Sequence, residues 1–286
     1  MSRSDSDPPR NVPIDGHVGN SGKVQHSEFV EASGEMTHQE FADFLTSVLS
    51  QMEAAARDGA LLYCFIDWRS VELVLQLGRE LGLGLINICV WNKSHAGMGS
   101  LYRSKHELVC VFKKGNAPHI NNVQLGANGR YRTNVWDYAG ANSFGEDRME
   151  QLTAHPTAKP VAMIADAILD VTKRGDIVLD PFGGSGTTRL AAQKTGRVAR
   201  CIELDPHYVD VAIRRFEKQF GISAIHAGTG LSFEALSVQR QAEARSSIEG
   251  KAAARAVRKR QRPSTSVASP RLRTRPVHSV PSKNNM

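Results

Sequence analysis

No stretch of about 18 consecutive apolar residues occurs anywhere in the 286 residues, so the sequence predicts no membrane-spanning helix. The opening residues, "MSRSDS", are polar and unlike a secretory leader. Cysteine is scarce. Cys64, Cys89, Cys110 and Cys201 each lie inside an apolar run, and no pair has C-x-x-C spacing. That argues against a disulfide scaffold or a zinc ribbon, and predicts buried thiols in the strands of a cytoplasmic protein with no metal. Internal repeats are missing, and so is the Gly-Lys-Ser/Thr ending of a P-loop.

Charge is unevenly divided. From residue 240 onward there are 12 Lys and Arg against 2 Asp and Glu, a net of +10, whereas residues 1–239 hold 24 against 27, a net of −3. The basic end is rich in Ser, Pro and Arg and poor in large apolar residues. Such composition predicts a disordered tail over 222–286, at most partly helical near 239–260. It reads either as a solvated tail or as a polybasic arm for nucleic acid. A second excess lies inside the body: Lys93, Arg103, Lys105, Lys113, Lys114, Arg130 and Arg132 stand against Glu107 alone, a net of +6 over 93–132.

Periodicity alternates between strand and helix. "THQEFADFLTSVLSQMEAAARDG" carries apolar residues at helical spacing behind a Thr37/Glu40 capping box. Strands are predicted at 60–66, 84–91 and 106–113, with a helix at 69–82 between the first two. A long polar stretch over 114–154 shows little periodicity. Helix 159–175, strand 176–180, a helix to about 195, strand 198–204 and helix 206–220 complete the pattern. Strands alternating with helices predict an α/β fold: a doubly wound, mostly parallel sheet with helices on both faces.

The chemistry concentrates in "DIVLDPFGGSGTTRLAAQ". A strand ends at Asp180, a glycine-rich turn follows, and a helix starts near Gly186. Glycines permit close backbone approach, and a helix N-terminus offers free N–H groups to an anion. After Gly184-x-Gly186 the third glycine of the dinucleotide fingerprint is replaced by Arg189. Glu203 follows Asp180 by 23 residues, near the spacing at which an acid reaches ribose hydroxyls. The pattern suggests a ligand with a ribose and a carboxylate rather than a pyrophosphate. The other reading is a purely structural strand-to-helix turn.

Taken together, "VLDPFGGSGTT", "IELDP", "HPTAKP" (155–160), "DPPRNV" (7–12), "YRSKHELVCVFKKG" and "NVWDY" (134–138) resemble, in this order, the motifs of the permuted, beta-type S-adenosylmethionine-dependent DNA amino-methyltransferases. The similarity covers roughly residues 7 to 220. It implies a Rossmann-like methyltransferase fold with a catalytic segment at 1–36, a catalytic half at 37–113, a target-recognition segment at 114–154 and a cofactor-binding half at 155–221. It implies S-adenosyl-L-methionine as cofactor, held by Thr157, Lys159, Asp180, Pro181, Phe182, Gly183, Ser185, Gly186, Thr187 and Glu203. Asp7, Pro8, Pro9 and Arg10 would form the catalytic step, with Asp7 and the Pro8 carbonyl accepting hydrogen bonds from the amine of a flipped base. The seven cations of 93–132 would face double-stranded DNA. A leading Asp leans, by family habit, towards adenine N6 over cytosine N4. The setting implied is site-specific DNA methylation in restriction-modification, cytoplasmic and nucleoid-associated, with a homodimer left open.

Two departures from the family pattern bear on activity. Position 10 is Arg where the family stacks an aromatic on the base, a contact worth about 1–3 kcal/mol. A guanidinium beside a sulfonium is also repulsive, by roughly 4 kcal/mol at about 4 Å and an effective dielectric of about 20. In addition, no apolar strand precedes Asp7. The expectation is that "MSRSDS" cannot supply the central strand beside the one ending at Asp180, leaving an N-terminally truncated catalytic edge. The alternative expectation is therefore a catalytically impaired remnant that retains cofactor or DNA binding. A third is a methyltransferase for RNA or a small molecule.

Overall fold

Helix α1 (His38–Ala55) starts where its capping box predicts. The Thr37 hydroxyl accepts from the Glu40 N–H at 3.3 Å and the Glu40 carboxylate accepts from the Thr37 N–H at 2.7 Å. The computed structural model describes residues 1–12, 32–97, 99–140 and 158–260. The chain divides into two units, Met1–Ala224 and Ile225–Met286.

The first unit is built on a seven-stranded sheet. Its strands are β1 (Arg3–Ser6), β2 (Leu61–Ile66), β3 (Gly84–Asn92), β6 (His106–Lys113), β7 (Val135–Asp137), β8 (Ile177–Asp180) and β9 (Val198–Cys201), in spatial order β7-β3-β6-β2-β1-β8-β9. A two-stranded hairpin, β4 (Gly99–Ser100) and β5 (Tyr102–Arg103), projects between β3 and β6. The pairs β3–β7, β2–β1, β1–β8 and β8–β9 are parallel; β6 runs antiparallel to both β2 and β3. The sheet is thus mostly parallel, as expected, with one reversed strand. A short connection from β3 returns the chain antiparallel, whereas the sequential parallel pairs β1–β2 and β8–β9 are each joined through a helix. Strand β7 falls inside the polar 114–154 stretch and forms the edge of this same sheet.

Strand β2 is buried along its whole length and serves two cores. Leu62, Cys64 and Ile66 pack with Phe41, Leu45, Leu49 and Met52 of α1 and with Val74 and Leu77 of α2 (Val71–Glu80). On the other face Leu61, Tyr63 and Phe65 meet Met163, Ile164, Ala167 and Ile168 of α3 (Val161–Val171) and Ala191 and Ala192 of α4 (Thr187–Thr195). A strand covered on both sides reads as a continuous apolar run, which is what "LLYCFI" is. Helix α5 (Pro206–Phe220) follows β9, with Asp205 as N-cap and Gly221 in the left-handed conformation at its end.

The expectation of a missing central strand is corrected. Arg3–Ser6 fills the slot between β2 and β8, pairing in parallel with both, and all four residues are buried. Ladder bonds are a property of the backbone, so a polar tetrapeptide can occupy a central position if its side chains are satisfied. Arg3 and Asp5 point to one face, because strand side chains alternate. The Arg3 Nε donates to both Asp5 carboxylate oxygens at 3.0 Å, and the guanidinium carbon lies 3.9 Å from the Tyr63 ring centroid. On the opposite face the Ser4 hydroxyl donates to the Leu179 carbonyl at 3.2 Å. The segment 1–36 is thus not loop-like at its start.

Cys64, Cys89 and Cys110 are buried strand thiols as expected, but Cys201 is exposed, because β9 is an edge strand. In the second unit, α6 spans Phe233–Arg260, a longer helix than the partial one expected near 239–260. Its Ala, Gln, Glu, Lys and Arg content favours helix. The rest of the tail expected to be disordered, 261–286, lies outside the described residues.

Candidate active site

Adjacent strands β1 and β8 are followed by helices on opposite faces of the sheet, α1 in one core and α4 in the other. Such a reversal of winding opens a crevice beyond the C-terminal ends of the two strands. Asp7 continues from β1 and Asp180 ends β8, so two of the predicted site segments meet there.

The glycine-rich turn is stapled from below. The buried Asp180 carboxylate accepts from the Phe182 N–H at 3.0 Å and from the Thr188 hydroxyl at 2.6 Å. Burial pushes the Asp180 carboxyl up to about 8; the Thr188 hydrogen bond opposes this and nearby Asp5 and Asp7 reinforce it. Gly186 is required by the protein's own packing, and Gly183 is closely confined by it. A Cβ at Gly183 would meet the Ile202 carbonyl oxygen at 3.1 Å, and one at Gly186 (φ +83°) would meet Ala212 Cβ of α5 at 2.8 Å. Glu203 accepts from the Gly184 N–H at 2.6 Å and from the Asp205 N–H at 2.9 Å, tying the turn to the end of β9. The Ser185 hydroxyl and carbonyl both accept from Arg215, at 2.8 and 2.6 Å. Phe182 stands 6.0 Å from the Phe44 ring of α1, and Pro181 is half-buried between Asp180 and Phe182. Helix α4 begins at Gly186 without a side-chain cap. Thr157 lies outside the described residues.

On the β1 side the step Asp7-Pro8-Pro9-Arg10 runs into Asn11, whose φ of 50° is left-handed. Asn11 donates to the Met36 carbonyl at 2.7 Å and accepts from the Gly34 and Met36 N–H groups at 3.1 Å, anchoring the step to the entry of α1. Here a cluster forms that the sequence reading did not foresee. Glu107, at the head of β6 and buried, receives Arg10 Nη2 at 2.5 Å, Lys159 Nζ at 3.3 Å and a close ion pair from Lys93. Lys159 also pairs closely with Asp7 Oδ2, while Asp7 Oδ1 stands 3.7 Å from Arg10. Burial alone would raise Glu107; Arg10, Lys159 and Lys93 outweigh it and hold the carboxyl well below the usual range. Desolvation draws Lys93 downward against the pull of Glu107. The rings of Phe65 and Trp91 flank Lys159 at 5.5 and 5.8 Å. The one signal in the sequence was Glu107 itself, a single acid among seven cations at the start of an apolar strand.

Several cations expected to face DNA are engaged within the protein. Arg130 and Arg132 reach Asp170 of α3 at 2.7 and 3.0 Å, and Arg132 also donates to the Tyr138 hydroxyl at 2.7 Å. Lys114 pairs with Glu53 at 2.9 Å, and Lys93 with Glu107. Lys113 is half-buried on β6, whereas Arg103 and Lys105 are exposed on and beside the β4–β5 hairpin. Half of the +6 of 93–132 is therefore answered by three acids outside the segment, Glu53, Asp166 and Asp170. Among the described residues no group of three or more His, Cys, Asp or Glu is placed to hold a metal, and no helix is long and apolar enough to cross a membrane.

A family model described as DNA methylase matches residues 6–214. The type II methyltransferase M.ScaI of Streptomyces caespitosus is 37% identical over 91 residues, 32% of this chain and 30% of that relative, so the matched stretch spans under a third of the relative's length. Among solved structures, an M1.HpyAVI–SAM complex superposes with a TM-score of 0.56 at 21% identity, covering 76% of this chain and 88% of that one. The cytosine-N4-specific PvuII DNA methyltransferase superposes with a TM-score of 0.59 at 18% identity, covering 76% and 79%. These likenesses establish a Rossmann-like methyltransferase fold.

Proposed function

The chain belongs to the DNA methylase family, and on that premise we propose that it transfers a methyl group from S-adenosylmethionine to the exocyclic amine of a flipped base in duplex DNA, adenine N6 in the first instance. The observation that carries this reading is the meeting of Asp7 and the Gly183–Thr187 turn at the ends of adjacent strands β1 and β8.

Two features support a cofactor at the turn. Helix α4 starts uncapped, leaving backbone donors suited to the cofactor carboxylate, and the buried Ser6 hydroxyl at the end of β1 has no protein partner. Thr157, Lys159, Asp180 to Gly183, Ser185 to Thr187 and Glu203 are the residues proposed to hold it. When bound, S-adenosylmethionine supplies an electrophilic methyl group. The chain's own part is to hold and orient the amine. The lone pair of that nitrogen is delocalised into the base ring, and acceptors at Asp7 Oδ1 and the Pro8 carbonyl would draw the nitrogen towards tetrahedral geometry. Taking the base out of the stack costs a few kcal/mol. Arg103, Lys105 and the basic tail are the cations proposed to meet phosphate.

A second reading is an impaired methyltransferase that still holds cofactor or DNA. It is favoured by Arg10, which occupies the stacking position and is drawn into an ion pair with Glu107. Tritiated methyl incorporation into duplex DNA, followed by nucleoside analysis, separates the two. N6-methyladenine, lost in Asp7→Ala, is the expected result. N4-methylcytosine would move the specificity to cytosine, and no incorporation with retained S-adenosylmethionine binding would favour the impaired reading.

A further inference from the structure

The five-residue ion cluster of Asp7, Arg10, Lys93, Glu107 and Lys159 adjoins the glycine-rich turn. Lys159 provides the link: its carbonyl accepts from the Thr187 hydroxyl of α4 at 3.3 Å, while its ammonium group pairs with Asp7 and Glu107. The cluster holds three cations and two carboxylates, a net of +1, and its central carboxylate is buried. Resting on the methyltransferase reading above, we infer that this cluster sets the preference between the sulfonium cofactor and its demethylated thioether product, with Glu107 as the positioning residue that offsets Arg10.

The two ligands have nearly the same shape and differ by one positive charge at sulfur. Contacts to the adenosine and amino-acid parts are common to both, so they cancel in the ratio of affinities. What remains is the local potential at sulfur, to which a buried cluster contributes strongly because water screens it poorly. The carboxylates of Glu107 and Asp7 also explain why an Arg is tolerated at position 10. Its charge is spent on Glu107 and Asp7 rather than presented free to the crevice.

Neutralising single members changes the net charge in a defined way. Glu107→Gln raises it to +2, Arg10→Gln lowers it to zero, and the double variant returns it to +1. Calorimetric titration of the full chain with S-adenosylmethionine and with S-adenosylhomocysteine should give a ratio of affinities that moves against the sulfonium in Glu107→Gln. It should move towards the sulfonium in Arg10→Gln, each on the order of tenfold, and return near the parent ratio in the double variant. A purely structural role for Glu107 would weaken both ligands alike. Arg10 is partly exposed and its removal leaves Glu107 balanced by two lysines, so Arg10→Gln keeps the test decisive if Glu107→Gln fails to fold. A ratio unchanged in Arg10→Gln overturns the inference while leaving the cofactor reading intact. A parent chain that binds neither ligand overturns both.

Discussion

On the function proposed above, Arg10 is the residue on which activity would turn. Its guanidinium lies against the buried Glu107 rather than extending freely into the crevice, so the repulsion expected of a lone cation is partly offset. What the same proposal leaves lost is base stacking. With the strand slot beside β8 filled, this local defect is left as the principal one. Arg10→Tyr is therefore expected to raise kcat/KM on duplex DNA about tenfold, within the about 1–3 kcal/mol of an aromatic–base stack. Unchanged or lower methyl incorporation would show that Arg10 is not at the base. Asp180 makes a second prediction. Its folded carboxyl is pushed up to about 8, from an ordinary value of 3.8. Between those values the native state keeps a proton that the unfolded chain has released, so this group makes stability fall as pH rises from about 4 to about 8. Asp180→Asn should flatten that slope in denaturant midpoints taken across the range. Parallel pH profiles for the two proteins would remove Asp180 as the cause. Glu107 acts in the opposite sense: its depressed carboxyl contributes stability that is lost as pH falls below its ordinary value of 4.5.

Among the elements, β1 is the least ordinary. Four polar residues form a central strand with a buried Arg3–Asp5 pair, and Arg3 Nη1 and the Ser6 hydroxyl lack protein partners. Removing one member of a buried pair leaves an uncompensated charge, whereas replacing both with apolar residues is often neutral or stabilising. Arg3→Ala or Asp5→Ala is expected to cost about 3–5 kcal/mol, and the Arg3→Met, Asp5→Val double variant to match or exceed the parent. Urea unfolding of the three variants measures this, and a double variant as unstable as the singles would refute it. The loss of β1 would also uncover the ladder edges of β2 and β8, so the single variants should bind cofactor more weakly as well as unfold earlier.

Across the whole molecule, charge is partitioned more sharply than the total of +7 conveys. In the first unit the basic segment is bound up with Glu53, Glu107, Asp166 and Asp170, while the chain beyond residue 239 keeps its +10 with only two acids of its own. Non-specific DNA affinity should accordingly reside in that end of the chain. Deleting 240–286 is expected to flatten the slope of log affinity against log salt concentration, and an identical slope in the deleted protein would assign the phosphate contacts to the first unit.

Helix α1 with its capping box, the fully apolar β2, the strand–turn–helix around Asp180 and the alternation of elements were all legible in the sequence, because each depends on residues within a few positions of one another. So was the order of the motifs, and with it the family. Strand β1 was not legible. Nothing in "RSDS" favours a buried strand; the slot is created by β2 and β8, some 60 and 175 residues away, whose unpaired edges determine what lies between them. The same holds for Glu107, whose partners Arg10 and Lys159 come from distant parts of the chain, and for Arg130 and Arg132, which clamp onto α3. Local chemistry wrote the elements and the turn. Which cations stay exposed and which are neutralised inside was decided only when folding brought distant carboxylates to them, since an ion pair depends on separation in space and not along the chain.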